Sequence, residues 1–263
     1  MPTIERPNAT VAYDVVGSGA PVILGHSLFC TRSMWRGIVS RLQDDYLLIN
    51  VELRGHGEST AEGPFTLADL VDDWLAIMDQ EGIDKAVLCG LSTGGMTAMR
   101  LAVREPDRVA GLALLDTNAA PESPLNRIKY GVMGWGYTRF GLLPKRTLLR
   151  SMYSPATLAG QPDLVTEFLD QVRGFDRRRL GHTMGAVFGR GTVDISGLEH
   201  PTLVVVGEHD TATPPVCAHR IAEAIDGASL EVVPAAGHLT AEEQPGAVAE
   251  LLRPLLDRCF SRT

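Results

Sequence analysis

The chain of 263 residues has four cysteines, Cys30, Cys89, Cys217 and Cys259, and no two of them stand at a paired spacing. That excludes a disulfide framework and a Cys-x-x-Cys metal site, so free thiols are expected. Its seven histidines include no His-x-x-x-His pair, and neither a metal nor another cofactor is expected. No apolar run is long enough to span a bilayer, and Met1-Pro2-Thr3-Ile4-Glu5-Arg6-Pro7 has no apolar signal core. A cytoplasmic protein with no membrane partner is therefore expected. Internal repeats and low-complexity tracts are missing as well. Positive charge is scarce: 24 Lys and Arg stand against 32 Asp and Glu, and the net charge of −8 argues against a nucleic-acid partner.

What is present is ordinary globular material, with 44% hydrophobic and 21% charged residues. The length suits one large α/β domain or a core with an inserted subdomain. The charge is uneven. Residues 118–190 hold eleven Lys and Arg against five Asp and Glu, a balance of +6, whereas the remainder carries −14. Such asymmetry invites a reason.

Strands and helices alternate along most of the chain. Ile4-Glu5, Val11 to Val16, Val22-Ile23-Leu24, Tyr46 to Val51, 85–89, Val109 to Leu115, Pro201 to Val206 and Leu230 to Val233 read as strands. Helical periods follow at Met34 to Leu42, from the Thr66-Leu67-Ala68-Asp69 capping box to Gln80, after Ser92, and at Ala241 to Leu256. The predicted architecture is a mostly parallel, eight-stranded α/β sheet with helices on both faces. From Asn118 to about Leu198 the alternation stops and a helical segment punctuated by Gly and Pro intervenes. The expected organisation is a core from 1–117 and 199–263, with a helical cap from 118–198 over the carboxyl edge of the sheet, where such sheets bind ligands.

The stretch around which this is arranged is Gly90-Leu91-Ser92-Thr93-Gly94, directly after Ala86-Val87-Leu88-Cys89. A serine flanked by glycines two residues to either side, preceded by a strand and followed by a helix, is the nucleophile-elbow pattern, in which a larger residue at either glycine position would clash. A serine hydroxyl is a weak nucleophile and needs an imidazole to take its proton and a carboxylate to orient that imidazole. His238, in Pro234-Ala235-Ala236-Gly237-His238, follows the last strand, and Asp210, in Gly207-Glu208-His209-Asp210, follows the strand before it. Both fall at the same sheet edge as Ser92. Asp116 after Val109 to Leu115, and the nearby Glu208, stand as alternatives for the acid. His26 and His56 read as loop braces, and His209 and His219 as solvent-facing or structural. The backbone N–H of Thr93, next after the nucleophile, is one expected oxyanion donor.

The order Ser92, Asp210, His238, with Gly90-Leu91-Ser92-Thr93-Gly94-Gly95, Arg54-Gly55-His56-Gly57-Glu58-Ser59 and Gly207-Glu208-His209-Asp210, resembles the α/β-hydrolase superfamily over nearly all of the chain outside the insert. Within it, Gly25-His26-Ser27-Leu28 with Met34-Trp35 and Thr213-Pro214-Pro215 is similar to 3-oxoadipate enol-lactonases and carboxylesterases. The resemblance implies a second oxyanion donor at Leu28. The sequence departs from the family in reading His26-Ser27 where a His-Gly pair is usual, and Glu52 where Asp is common.

The resulting expectation is a serine hydrolase that cleaves a small ester or lactone through an acyl-enzyme on Ser92. The cap's positive balance suggests an anionic substrate. A carbon–carbon bond hydrolase or perhydrolase would use the same triad, and a hydrolase-derived ligand sensor is the alternative of another class. Trp135, Tyr137, Phe140, Met152, Tyr153, Phe168, Phe175, Met184 and Phe188 are expected to form the cap's apolar ceiling.

Overall fold

Alternating side chains explain the continuous apolar runs. Along each central strand, one set of residues packs under one face of the sheet and the next set over the other: Val87, Cys89 and Leu91 on one side, Ala86 and Leu88 on the opposite. A strand covered on both faces has no polar side to show in sequence. In the computed structural model, which describes residues 2–260, the strands are β1 (Thr3–Arg6), β2 (Ala9–Val16), β3 (Ala20–Gly25), β4 (Tyr46–Val51), β5 (Ala86–Leu91), β6 (Val109–Leu115), β7 (Thr202–Gly207) and β8 (Ser229–Val233). They form one sheet in the order β1-β2-β4-β3-β5-β6-β7-β8. The β1/β2 and β2/β4 pairs are antiparallel and the others parallel, so β3 and β5 to β8 all end at one edge.

The expected helices form, with informative differences at their ends. The period at 34–42 divides into a 3₁₀ turn, Arg32–Trp35, and α1 (Arg36–Leu42). Helix α2 (Leu67–Gln80) opens at Thr66, whose N–H and hydroxyl both donate to Asp69 Oδ2 at 2.8 Å, and it buries Leu70, Trp74, Ile77 and Met78. Helix α3 (Thr93–Arg104) follows the elbow. Between β6 and β7 come α4 (Pro124–Phe140), α5 (Lys145–Met152), α6 (Pro155–Gly160), α7 (Pro162–Gly174) and α8 (Arg177–Phe188), and α9 (Pro215–Ala224) joins β7 to β8. The closing period is a one-turn α10 (Thr240–Glu243) and a long α11 (Pro245–Phe260), interrupted because a residue before proline is pushed out of the helical region; Gln244 has ψ 55°. Met1 and 261–263, at the outer ends of the two core segments read from sequence, lie outside the described residues.

The helices between β6 and β7 meet the sheet edge through loop backbones. Met152 O accepts from His238 N at 3.0 Å, Phe29 O accepts from Gln171 Nε2 at 2.9 Å, and Arg54 O accepts from Thr183 Oγ1 at 2.9 Å. Below them, the loop after β4 is pinned by an ion pair inside the protein. Arg54 Nε and Nη2 donate to the two carboxylate oxygens of Asp73 on α2 at 2.6 and 2.7 Å, and both side chains are buried. Removing one partner leaves the other charge uncompensated in a medium that cannot solvate it. Asp73→Ala is expected to lower stability by about 3–5 kcal/mol, read as an earlier midpoint in urea unfolding. A loss below about 1 kcal/mol would mean that the guanidinium finds water.

Candidate active site

Ser92 sits where β5 turns into α3 and adopts φ 53°, in the left-handed region that a residue with a side chain seldom occupies. Its neighbours show why the turn must be this tight. A Cβ on Gly90 would lie 2.2 Å from the Gly94 carbonyl carbon, and one on Gly94 would lie 2.1 Å from Gly25 O. Three bonds hold the turn: Ser92 N donates to Leu115 O at 2.9 Å, Thr117 Oγ1 to Ser92 O at 2.7 Å, and Gly94 N to His26 O at 3.2 Å.

His238 follows β8 and Asp210 follows β7. Asp210 Oδ2 lies 2.9 Å from His238 Nδ1, and both side chains are buried. A carboxylate only accepts, so Nδ1 carries the proton of the neutral ring and Nε2 is left as the free acceptor. Three donors fix the carboxylate: Ala212 N at 2.8 Å and Thr213 N at 2.9 Å on Oδ1, and Thr213 Oγ1 at 2.8 Å on Oδ2. Burial alone would lower the His238 pKa. The charge and hydrogen bond of Asp210, with the nearby charges of Asp116 and Glu243, outweigh it and hold the pKa above the usual imidazole value.

The two alternative acids have other partners. Asp116 accepts from Gly207 N at 2.9 Å and from the N–H and hydroxyl of Thr240, so it ties the loop bearing Asp210 to the one bearing His238. Burial and the neighbouring Asp210 charge raise its pKa well above the ordinary carboxylate range. Glu208 is exposed and accepts from Ala235 N at 3.1 Å.

Ser92, His238, Ser27 and Leu28 line one cavity of about 440 Å³. Thr93 is fully buried behind it, as the first residue of α3. Around the expected donors, the adjacent N–H groups are already used: Gly94 N by His26 O, and Phe29 N by His56 Nε2 at 3.3 Å. Of the two expected donors, Leu28 lines the cavity and Thr93 directly follows Ser92 in the chain. Ser27 Oγ and Thr93 Oγ1 are buried hydroxyl oxygens with no hydrogen-bond partner among the described residues.

His26 and His56 do brace loops. His26 Nε2 accepts from Leu53 N at 2.9 Å, and burial pushes the two pKa values down to about 4 and about 3, so both rings stay neutral acceptors. Glu52 also finds its role: it accepts from Arg32 N at 2.9 Å and Arg32 Nε at 3.1 Å, anchoring the chain just beyond Leu28. His209 and His219 are exposed. Thr213, Thr240 and Glu243 were not anticipated. Thr213 alone had a local signal, since an Asp followed by two or three residues whose N–H groups fold back on it is an Asx-type turn. Glu243, which accepts from Gly237 N at 2.7 Å and Ser154 N at 2.9 Å, joins segments far apart in sequence.

The cavity walls come mainly from the helices after β6. Met152 and Phe188 line it, as do Met133 and Leu148. Tyr137, Tyr153, Phe168, Phe175 and Met184 are buried among the helices. Trp135 and Phe140 are not part of a ceiling, for both are exposed to solvent. At the rim, Arg190 is paired with Glu122 at 2.9 Å, whereas Lys129 and Arg150 have no carboxylate partner among the described residues. The four cysteines are free thiols, and no cluster of His, Cys, Asp or Glu among the described residues could hold a metal ion.

This fold recurs in known proteins. The chain is 27% identical to 3-oxoadipate enol-lactonase 2 of Acinetobacter baylyi over 98% of its own length and 99% of that protein. Its fold superposes on a malate-bound thermophilic esterase from Thermogutta terrifontis with a TM-score of 0.92 and 29% identity, covering 96% of this chain and 95% of the other. It also superposes on the enol-lactonase from Burkholderia xenovorans LB400 with a TM-score of 0.89 and 27% identity, covering 97% and 99%. The profile of the alpha/beta hydrolase family matches residues 18–251, and with the eight-stranded sheet underneath that match the chain belongs to this family.

Proposed function

We propose that this hydrolase cleaves a small ester or lactone through an acyl-enzyme on Ser92, with His238 as base and Asp210 as its orienting acid. The observation that carries the reading is the buried 2.9 Å Asp210–His238 contact on a ring that shares one cavity with Ser92. In this reading His238 Nε2 removes the Ser92 proton as Oγ attacks the substrate carbonyl carbon. The N–H groups of Leu28 and Thr93 receive the oxyanion, and the unpartnered Ser27 hydroxyl adds a third donor. Collapse breaks the carbonyl-to-oxygen bond, and His238 returns its proton to the departing oxygen. In a lactone that oxygen stays tethered to the acyl group. Water then attacks the ester, gives its proton to His238, and leaves the free acid and a reprotonated Ser92.

Residues 118–198 act as the cap that selects the substrate. Lys129 and Arg150 at the rim, without carboxylate partners, favour a substrate that carries a carboxylate beside its scissile bond. The dicarboxylate malate in the related esterase structure is consistent with such a preference.

A fluorophosphonate probe with peptide mapping tests the nucleophile. Label is expected on Ser92 alone, and Ser92→Ala is expected to lower kcat by more than about 10⁴-fold; label on another serine would remove the assignment. Because neutral His238 is the active form and its pKa is raised, kcat/KM is expected to fall as pH drops through a value above 6.5. Asp210→Asn should move that limb to lower pH and cut kcat by about 10⁴-fold; an unmoved limb contradicts the pairing. For the cap, kcat/KM of a carboxylated ester should decline between about 0.01 and 1 M salt as the screening length shrinks from about 30 to 3 Å. Arg150→Ala should raise KM for that ester and spare a neutral one. Equal responses of the two esters would overturn the anionic preference.

A further inference from the structure

Helix α4 is apolar on two faces. Its inner face supplies Tyr130 and Met133 to the cavity and buries Tyr137. Its outer face presents Leu125, Ile128, Val132 and Trp135, which are 75%, 67%, 65% and 64% exposed. Their spacing of three, four and three residues puts them in one line along the helix. Phe140 and Leu142 continue it, with the Trp135 and Phe140 rings edge to face at 5.4 Å. Isolated apolar side chains are normal on a surface, but a connected stripe of this kind marks a docking face.

Charge decides what it docks on. From Ser123 to Pro162 the chain has six cations, Arg127, Lys129, Arg139, Lys145, Arg146 and Arg150, and no Asp or Glu. All six are exposed, Lys129 and Arg150 at the cavity rim, in a protein whose net charge is −8. A second copy of this chain would bring the same six cations against them with no acid on the stretch to answer them. An anionic phospholipid surface suits both features: apolar side chains enter the acyl boundary, and Lys and Arg stems lie along it with their heads at the phosphates. The acidic remainder of the molecule, repelled by the same surface, keeps the basic face turned toward it.

We propose that the outer face of α4, with Phe140 and Leu142, docks on an anionic phospholipid surface, so that the helix walling the cavity is also the docking helix. The proposal goes beyond the hydrolase reading and does not depend on it. Expecting no membrane partner rested on the missing spanning segments; among the described residues no helix can cross a membrane, and this one would lie on it.

The full chain can be tested with vesicles of phosphatidylcholine alone and with added phosphatidylglycerol. Of the three tryptophans Trp35 and Trp74 are fully buried, so emission changes report Trp135. Co-sedimentation with the anionic vesicles, a blue shift of the emission and at least about ten-fold weaker binding to the neutral ones are expected, with loss of binding at high salt. Leu125→Glu and Ile128→Glu should abolish binding while hydrolysis of a small soluble ester persists. Binding that persists in Ser92→Ala, with hydrolysis lost, separates this proposal from the catalytic one. It is overturned if wild-type protein fails to sediment and shows no shift, if it binds both vesicles equally, or if light scattering shows a dimer that Ile128→Glu dissociates.

Discussion

Backbone meets backbone beneath the nucleophile, and the rest of the site depends on that contact. Gly94 and Gly25 approach so closely that neither the strand end nor the helix start has room for a side chain. The bond from Gly94 N to His26 O then couples the loop bearing Leu28 to the helix beginning at Thr93. A residue in the left-handed region costs about 1–3 kcal/mol, and the bonds to Leu115 and from Thr117 oppose its relaxation. One packing constraint therefore sets the direction of the serine and the spacing of both expected oxyanion donors. The neutral rings of His26 and His56 extend the same frame outward, each accepting a backbone N–H across the loops.

Three buried carboxylates surround His238, and their hydrogen bonds give them different work. Asp210 faces the ring and is held in place by Thr213 and the turn that follows it. Asp116 spends its oxygens on Gly207 and Thr240, which lie next to the two loops that must meet. Glu243 binds the backbone on the other side of His238, at Gly237, and reaches the insert at Ser154. Two ionised carboxylates as close as Asp116 and Asp210 repel one another, and burial magnifies the repulsion. The upward shift at Asp116 reflects that repulsion together with its burial.

Much of this was legible in the sequence because its signals are local. The apolar runs, the Gly90-Leu91-Ser92-Thr93-Gly94 turn and the short loops that carry Asp210 and His238 each depend on a few neighbouring residues. The choice between Asp116 and Asp210 was not local. Both end a strand at the same edge, and only the three-dimensional course of the loops separates the one that meets His238 from the one that clamps Thr240. Glu52 likewise had no sequence rationale, since its partner Arg32 lies 20 residues away and across a strand. Trp135 and Phe140 misled because an aromatic residue in a helical insert reads the same whether it faces inward or out. On α4 the helical period serves two apolar faces at once, which hides the polarity a sequence reading relies on.

The helices between β6 and β7 do more than wall the cavity. The segments after β6 pack into the same apolar cluster as one face of the sheet, and several of their hydrogen bonds fall on backbone that carries the site. Met152, at the end of α5, holds the N–H of His238; Ser154 meets Glu243; and Gln171 on α7 holds Phe29, next to Leu28. The same α5 brings Arg150 to the rim, two residues from the carbonyl that fixes the histidine loop. Arg150 and the Met152 carbonyl that fixes the histidine loop thus lie on one helix, α5. In the proposed reading, substrate recognition by Arg150 and placement of His238 as the base therefore share a single short segment of chain.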